Sequence, residues 1–186
     1  EDQLARPVLP DLGDDFHHNG ALYLAHAFRF YNGFGTPRPQ PTSRPRPPAV
    51  DIPTPDGYRF YLDIGPLSNV NAKYFKNQIG FWNDLMAHPT YDAFWQARDV
   101  RRHLTNIKPA VLTVGGWFDA EDLYGALEVY KTVEKNNPGV SNQLVMGPWF
   151  HGGWSRSSGE GIGPVRFDAK TGEFFRTQIE FPFFAH

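Results

Sequence analysis

Two short segments end in residues that can share a proton, Gly115-Gly-Trp-Phe-Asp119 and Gly147-Pro-Trp-Phe-His151. A carboxylate beside an imidazole orients the ring, selects its tautomer and stabilises the imidazolium, which is what a general base serving a hydroxyl nucleophile requires. A local reading competes with this one. Asp is a favoured helix N-cap, so Asp119 could merely open a helix at Ala120, with His151 as a turn residue. Spacing alone leaves both open.

The chemical reading needs elements that bring the two residues together. Pro109 to Gly115 and Asn142 to Gly147 are short, nearly continuous apolar runs bounded by Gly and Pro, as buried parallel strands are. Between them Leu123, Leu127, Tyr130 and Val133 recur on one helical face from about Ala120 to Asn136, and Asn137-Pro-Gly139 closes the helix. Strand, helix and strand make a βαβ unit, whose crossover is expected to be right-handed. In an open parallel sheet, function collects at the carboxyl ends of the strands, where Asp119 and His151 both fall. A last helix is expected from Ala169 to Phe184.

The upstream half has a different character. Eight prolines between Thr36 and Pro55 forbid helix and sheet interior and predict an extended loop or linker. Before it, Leu24, Phe28 and Tyr31 predict a short helix ending near Asn32-Gly-Phe-Gly35. After it, Tyr58 to Ile64 reads as a short strand. Asn71 is placed to cap a helix carrying Phe75, Ile79, Trp82 and Met86 on one face, ended by Pro89, and a second helix is expected from Tyr91.

Composition narrows the function classes. A net charge of −2 gives no long-range attraction to nucleic acid or anionic membrane, and no apolar run approaches the ~20 residues that span a bilayer. The absence of cysteine excludes disulfides and thiolate sites without assigning a compartment. Aromatic residues make up 16% of the chain, which fits either a stacking surface for a ligand or a heavy aromatic core, and the core is the expected reading. Starting at Glu1-Asp2-Gln3 without an initiator methionine, the chain is expected to be a fragment or a processed product.

The segments Gly13-Asp-Asp-Phe-His-His-Asn-Gly20, His88-Pro-Thr-Tyr-Asp-Ala-Phe-Trp95, Gly115-Gly-Trp-Phe-Asp119 and Gly147-Pro-Trp-Phe-His-Gly152 resemble the family of X-prolyl dipeptidyl-peptidases, cocaine esterase, α-amino-acid ester hydrolases and glutaryl-cephalosporin acylases. The similarity runs from about Asp11 to the C-terminus. It implies an α/β class, the C-terminal part of an α/β-hydrolase fold with a helical cap. Residues 1–108 would be the cap region, with the Pro-rich linker at 36–55, and residues 109–186 the last βαβ unit and terminal helix. It also implies Asp119 as the triad acid and His151 as the base of a serine esterase, acylase or peptidase without a cofactor. Periplasmic or secreted location is suggested by the same likeness.

The match has a gap. The family's nucleophile sits in a G-x-S-x-x-G-like elbow, and none of Ser43, Ser68, Ser141, Ser155, Ser157 and Ser158 lies in such a strand-to-helix turn. The nucleophile is therefore expected in the remainder of the polypeptide, which becomes a required partner beside a small ester, amide or short peptide substrate. This chain alone is expected to be inactive, and to be either poorly stable or associated through an open strand edge.

By the resemblance, Glu121 and Asp122, with Asp14 or Asp15, form a cluster for the substrate's α-ammonium. Converging carboxylates do favour a cation, although acids in the first turn of a helix also suit its dipole. His17 and His18 beside Asp14 and Asp15 are not expected to hold a metal, because successive side chains diverge. A rival from another class is a non-catalytic module whose aromatic cap grips a peptide or sugar. It needs no contact between Asp119 and His151.

Overall fold

The computed structural model describes residues 16–18, 21–38, 40–41, 43 and 48–185. They fall into two compact units, one ending at Gln96 and the other running from Ala97. Asp14 and Asp15 lie outside the described residues, and so does most of the segment that contains them.

The first unit is built on an aromatic core. Strands β1 (His17–His18) and β2 (Ala21–Leu22) pair antiparallel and lead into α1 (Leu24–Phe34). Phe28 of α1 is fully buried, stacked on Phe75 at 4.8 Å and met edge-on by Phe60 and Tyr74 at 5.5 and 5.7 Å. Buried Asn32 of the same helix holds the far side of the proline-rich segment, donating to the Val50 carbonyl and accepting the Val50 N–H, both at 2.7 Å. Those bonds satisfy both backbone groups of Val50.

Residues Tyr58 to Ile64 are not a strand but belong to helix α2 (Gly57–Ile64). The signals that win are Asp56, whose carboxylate accepts the Arg59 N–H at 3.0 Å, and the i,i+4 burial of Phe60 and Ile64. The single helix expected from Asn71 is also divided. A π-helical segment, Val70–Phe75, stops at Lys76 and Asn77, both at positive φ, and α3 (Gly80–Ala87) starts afresh. Phe75, Ile79 and Trp82 are nonetheless all buried, so the apolar period survives the break. Asn71 bonds Asn83 at 2.8 Å, and Asn83 donates to the Asn77 carbonyl at 3.1 Å, which satisfies the interrupted backbone. The helix from Tyr91 is one turn, α4 (Ala93–Gln96), capped by Asp92.

The second unit contains the βαβ arrangement. Strands β3 (Val111–Gly116) and β4 (Asn142–Gly147) run parallel in the register Val111 to Asn142 through Gly116 to Gly147. Helix α5 (Leu123–Asn136) joins them and packs on both, burying Ala126 and Val133. Its start lies three residues past the expected Ala120, because the Asp119 side chain organises a turn first. Asn137 closes the helix as expected and also grips the approach to β3, donating to the Leu104 carbonyl and accepting the Ile107 N–H at 3.0 and 2.8 Å. Residues 97–108 belong to this unit. Buried Asp99 takes a two-pronged bond from Arg101, which lies 3.8 Å from Glu128 on α5.

Beyond β4 come α6 (Gly153–Arg156), the hairpin β5 (Gly161–Ile162) with β6 (Val165–Arg166), then α7 (Thr171–Phe175), a π-helical segment Arg176–Glu180 and α8 (Phe181–Ala185). The expected terminal helix is thus a nearly continuous helical path with a wide turn inside it. Phe175 is its buried anchor, while Phe174, Phe181 and Phe184 are exposed. Val111 to Val114 of β3 are only half-buried, less than the expectation of buried strands, since the described sheet has two strands.

Candidate active site

The loops after β3 and β4 are laced together by backbone bonds. Trp117 N–H donates to the Gly147 carbonyl at 2.8 Å, and Phe118 N–H to the Trp149 carbonyl at 3.1 Å. Such close approach needs glycine. A Cβ on Gly116 would meet the Trp149 carbonyl oxygen at 2.2 Å, and one on Gly147 would meet the Trp149 ring at 2.5 Å. Trp149 is the common pivot. It is buried, packs on Phe175, and donates its indole N–H to the Thr171 hydroxyl at 2.9 Å.

This lacing carries Asp119 and His151 to one place. Asp119 is buried, and its Oδ1 accepts the backbone N–H groups of Glu121 and Asp122 at 2.8 and 2.9 Å. The same carboxylate receives His151 Nδ1, at 3.0 Å to Oδ2 and 3.3 Å to Oδ1. Both sequence readings of Asp119 therefore describe one side chain: it organises the turn into α5 and faces the imidazole. The Nδ1–H tautomer that faces this carboxylate leaves the Nε2 lone pair available.

His151 is held from its backbone side as well. Its carbonyl accepts the Arg156 guanidinium, and Gly152 takes a left-handed conformation, φ 69°, that turns the chain into α6. The side chain itself is 47% exposed, so the imidazole is reachable from solvent. At the other ring edge, Glu121 Oε2 lies 3.8 Å from Nε2. Asp122 is the residue preceding α5. Two open grooves of ≈ 660 and ≈ 680 Å³ lie along the segment after α6 and beneath Trp149, and neither is lined by Asp119 or His151.

The serines near His151 in sequence have other partners. Ser155 and Ser157 donate to the carbonyls of Gly152 and Gly153, at 3.0 and 2.8 Å, and Ser158 donates to Glu160 at 2.9 Å. Ser155 lies in α6. Sequence reasoning missed Arg156, Thr171 and the pivot role of Trp149. A buried indole needs an acceptor, which points to a hydroxyl, but nothing in the linear order points to Thr171.

A parallel βαβ unit with a carboxylate–imidazole pair at its strand ends defines an α/β protein equipped for proton transfer. Residues 9–153 match the family model of X-Pro dipeptidyl-peptidase (S15 family), and the chain belongs to that family. Among solved structures it is similar to an aminopeptidase from the marine sediment archaeon Thaumarchaeota archaeon, at 34% identity and a TM-score of 0.78 over 94% of this chain. The chain spans 28% of the length of that aminopeptidase. No curated protein matches it.

Proposed function

We propose that this chain supplies the general base and its orienting acid to a serine hydrolase of the α/β-hydrolase fold that cleaves amide or ester bonds of α-amino-acyl substrates. The observation behind the proposal is the hydrogen bond between His151 Nδ1 and Asp119 at the ends of adjacent parallel strands. A non-catalytic binding module has no use for that contact. In this reading residues 109–186 are the last βαβ unit and terminal helix of the hydrolase domain, residues 97–108 lead into that unit, and the helical cap is confined to residues before 97.

The chemistry follows from which nitrogen is free. Asp119 keeps the proton on Nδ1, so Nε2 accepts the proton of a serine hydroxyl as its oxygen attacks the acyl carbonyl. The imidazolium then passes that proton to the leaving amine or alkoxide, and a water repeats the sequence to release the acid. The proposal places the serine and the oxyanion donors in polypeptide outside these residues, because Ser155, Ser157 and Ser158 are each engaged elsewhere.

Glu121 and Asp122, joined by Asp14 or Asp15, are assigned to the substrate's ammonium. Support comes from the names of the matched family and of the archaeal structure, since X-Pro dipeptidyl-peptidase and aminopeptidase activities both begin at a free amino end. The family match also favours a second reading, release of an X-Pro dipeptide rather than a single residue. Aminoacyl and Gly-Pro p-nitroanilides, given to the polypeptide that carries the serine, separate the two. In that protein His151→Ala is expected to lower kcat by about 10³-fold or more with little change in KM. Near-normal turnover would remove His151 from the role of base.

A further inference from the structure

The loop that carries His151 is held by a side chain far along the sequence. Buried Trp149 donates its indole N–H to the Thr171 hydroxyl at 2.9 Å, and that hydroxyl donates to the Gly159 carbonyl at 2.7 Å. The direction of this bridge is fixed by its ends, since an indole can only donate and a carbonyl can only accept. A hydroxyl joins the two; a hydrocarbon side chain leaves both unpaired. The main chain of the same tryptophan reaches the acid loop, its carbonyl accepting the Phe118 N–H at 3.1 Å beside Asp119. Thr171 itself sits in a segment docked independently of the indole. Gly159 is buried at φ 75°, and a Cβ there would collide with the Gly172 amide. The Gly172 N–H donates to the Ser158 carbonyl at 2.9 Å, and Arg176 donates to the carbonyls of Trp154 and Ser157 at 2.6 and 2.9 Å.

We infer that Thr171 is a positioning residue for the pair of His151 and Asp119: it fixes the Trp149 ring, and through that ring the backbone joining the two loops. The inference rests on the reading of His151 as the general base. Neither Gly159 nor Thr171 falls within residues 9–153 of the family match, so that match assigns them no role. Removing the hydroxyl leaves a buried N–H unpaired, a cost that a shift of the ring relieves. The shift reaches the imidazole as misplacement, and a reacting group out of place by about 1 Å loses on the order of 10²-fold in rate. The loss falls on kcat rather than on KM, because the reacting geometry is disturbed and no substrate contact is removed.

The test is Thr171→Val, close in shape but without the hydroxyl, in the polypeptide that carries the serine. Turnover of an aminoacyl or Gly-Pro p-nitroanilide is read at a temperature where circular dichroism shows every variant folded. kcat is expected to fall about 10- to 100-fold, with KM within about twofold of the parent. Thr171→Ser keeps both bonds and should recover most of the loss. Thr177→Val removes a hydroxyl from the same helical path, bonded there to the Glu173 carbonyl at 2.9 Å, and should leave kcat in place. In Trp149→Phe, which has no N–H to place, adding Thr171→Val should cost little more. An unchanged kcat in Thr171→Val, a loss that Thr171→Ser does not recover, an equal loss in Thr177→Val, or a full further loss on top of Trp149→Phe overturns the inference. His151→Gln separates it from the reading beneath it. If that variant is inactive while Thr171→Val is unimpaired, positioning by Thr171 falls and the base stands; if His151→Gln turns over normally, both fall.

Discussion

Asp119 divides one carboxylate between two tasks, accepting the N–H groups of Glu121 and Asp122 through Oδ1 and receiving His151 Nδ1 at 3.0 Å through Oδ2. The turn into α5 and the orientation of the imidazole consequently depend on the same side chain. Asp119→Asn retains an oxygen for the turn but presents an amide N–H toward Nδ1, which favours the wrong tautomer. In the serine-containing protein kcat is expected to fall by about 10³- to 10⁴-fold, with stability lowered by only about 1 kcal/mol. Asp119→Ala removes both functions and should cost about 1–3 kcal/mol more in denaturant unfolding. Equal stability of the two variants would show that the turn does not rely on Oδ1.

Glycine at 116 is a steric requirement, since a Cβ there meets the Trp149 carbonyl at 2.2 Å. Gly116→Ala should separate the two loops, destabilise by about 1–3 kcal/mol and abolish the coupling between Asp119 and His151. Gly33→Ala serves as the comparison. Position 33 lies inside α1 with open space around its Cβ, so alanine there is expected to be neutral or to stabilise by up to about 1 kcal/mol. Circular-dichroism melts of the two variants check both.

Selectivity for the amine is assigned to acids beside the base. Glu121→Gln and Asp122→Asn in the active protein are expected to raise KM for aminoacyl esters about tenfold, with a much smaller effect on the des-amino esters. Equal losses on both substrate types would reduce these acids to helix-dipole partners.

A second His–Asp pair lies in the first unit, where His88 Nδ1 meets Asp92 at 2.6 Å. The hydrogen bond to His88 holds the Asp92 carboxyl below its ordinary value of 3.8, helped by the N–H groups of Trp95 and Phe94. A depressed folded-state pKa stabilises above the unfolded value and is lost as pH falls through the folded one. The melting-temperature gap between the parent chain and Asp92→Asn should therefore be present above the ordinary carboxyl value of 3.8 and close as pH falls below it. A gap that persists there would assign it to packing around Trp95 instead.

The 186-residue chain by itself is expected to show neither turnover of an activated ester nor labelling by a serine-directed phosphonate, and adding the complementary polypeptide with the serine should restore both. Half-buried β3 and β4 should also promote association through their open edges, measurable by sedimentation. Stoichiometric labelling of the isolated chain, with turnover that depends on His151, would make one of its six serines the nucleophile.

Local periodicity and punctuation determine much of this protein without tertiary help. The apolar runs Pro109 to Gly115 and Asn142 to Gly147, the helical face between them and the Asn137-Pro-Gly139 stop specify a βαβ unit, because each signal acts over a few residues. The same order places Asp119 and His151 at neighbouring strand ends. Tyr58 to Ile64 shows where local reading fails: its alternation and its i,i+4 pattern are both present, and the Asp56 cap together with packing of Phe60 against Phe28 selects the helix. The break at Lys76 and Asn77 is likewise decided by amides of Asn71 and Asn83, which meet only after folding. Glu121 at the Nε2 edge and Thr171 under Trp149 depend on how loops and a helix far apart in sequence converge. Such contacts are set by long-range sterics and by the need to satisfy buried polar groups, and no sequence period encodes them.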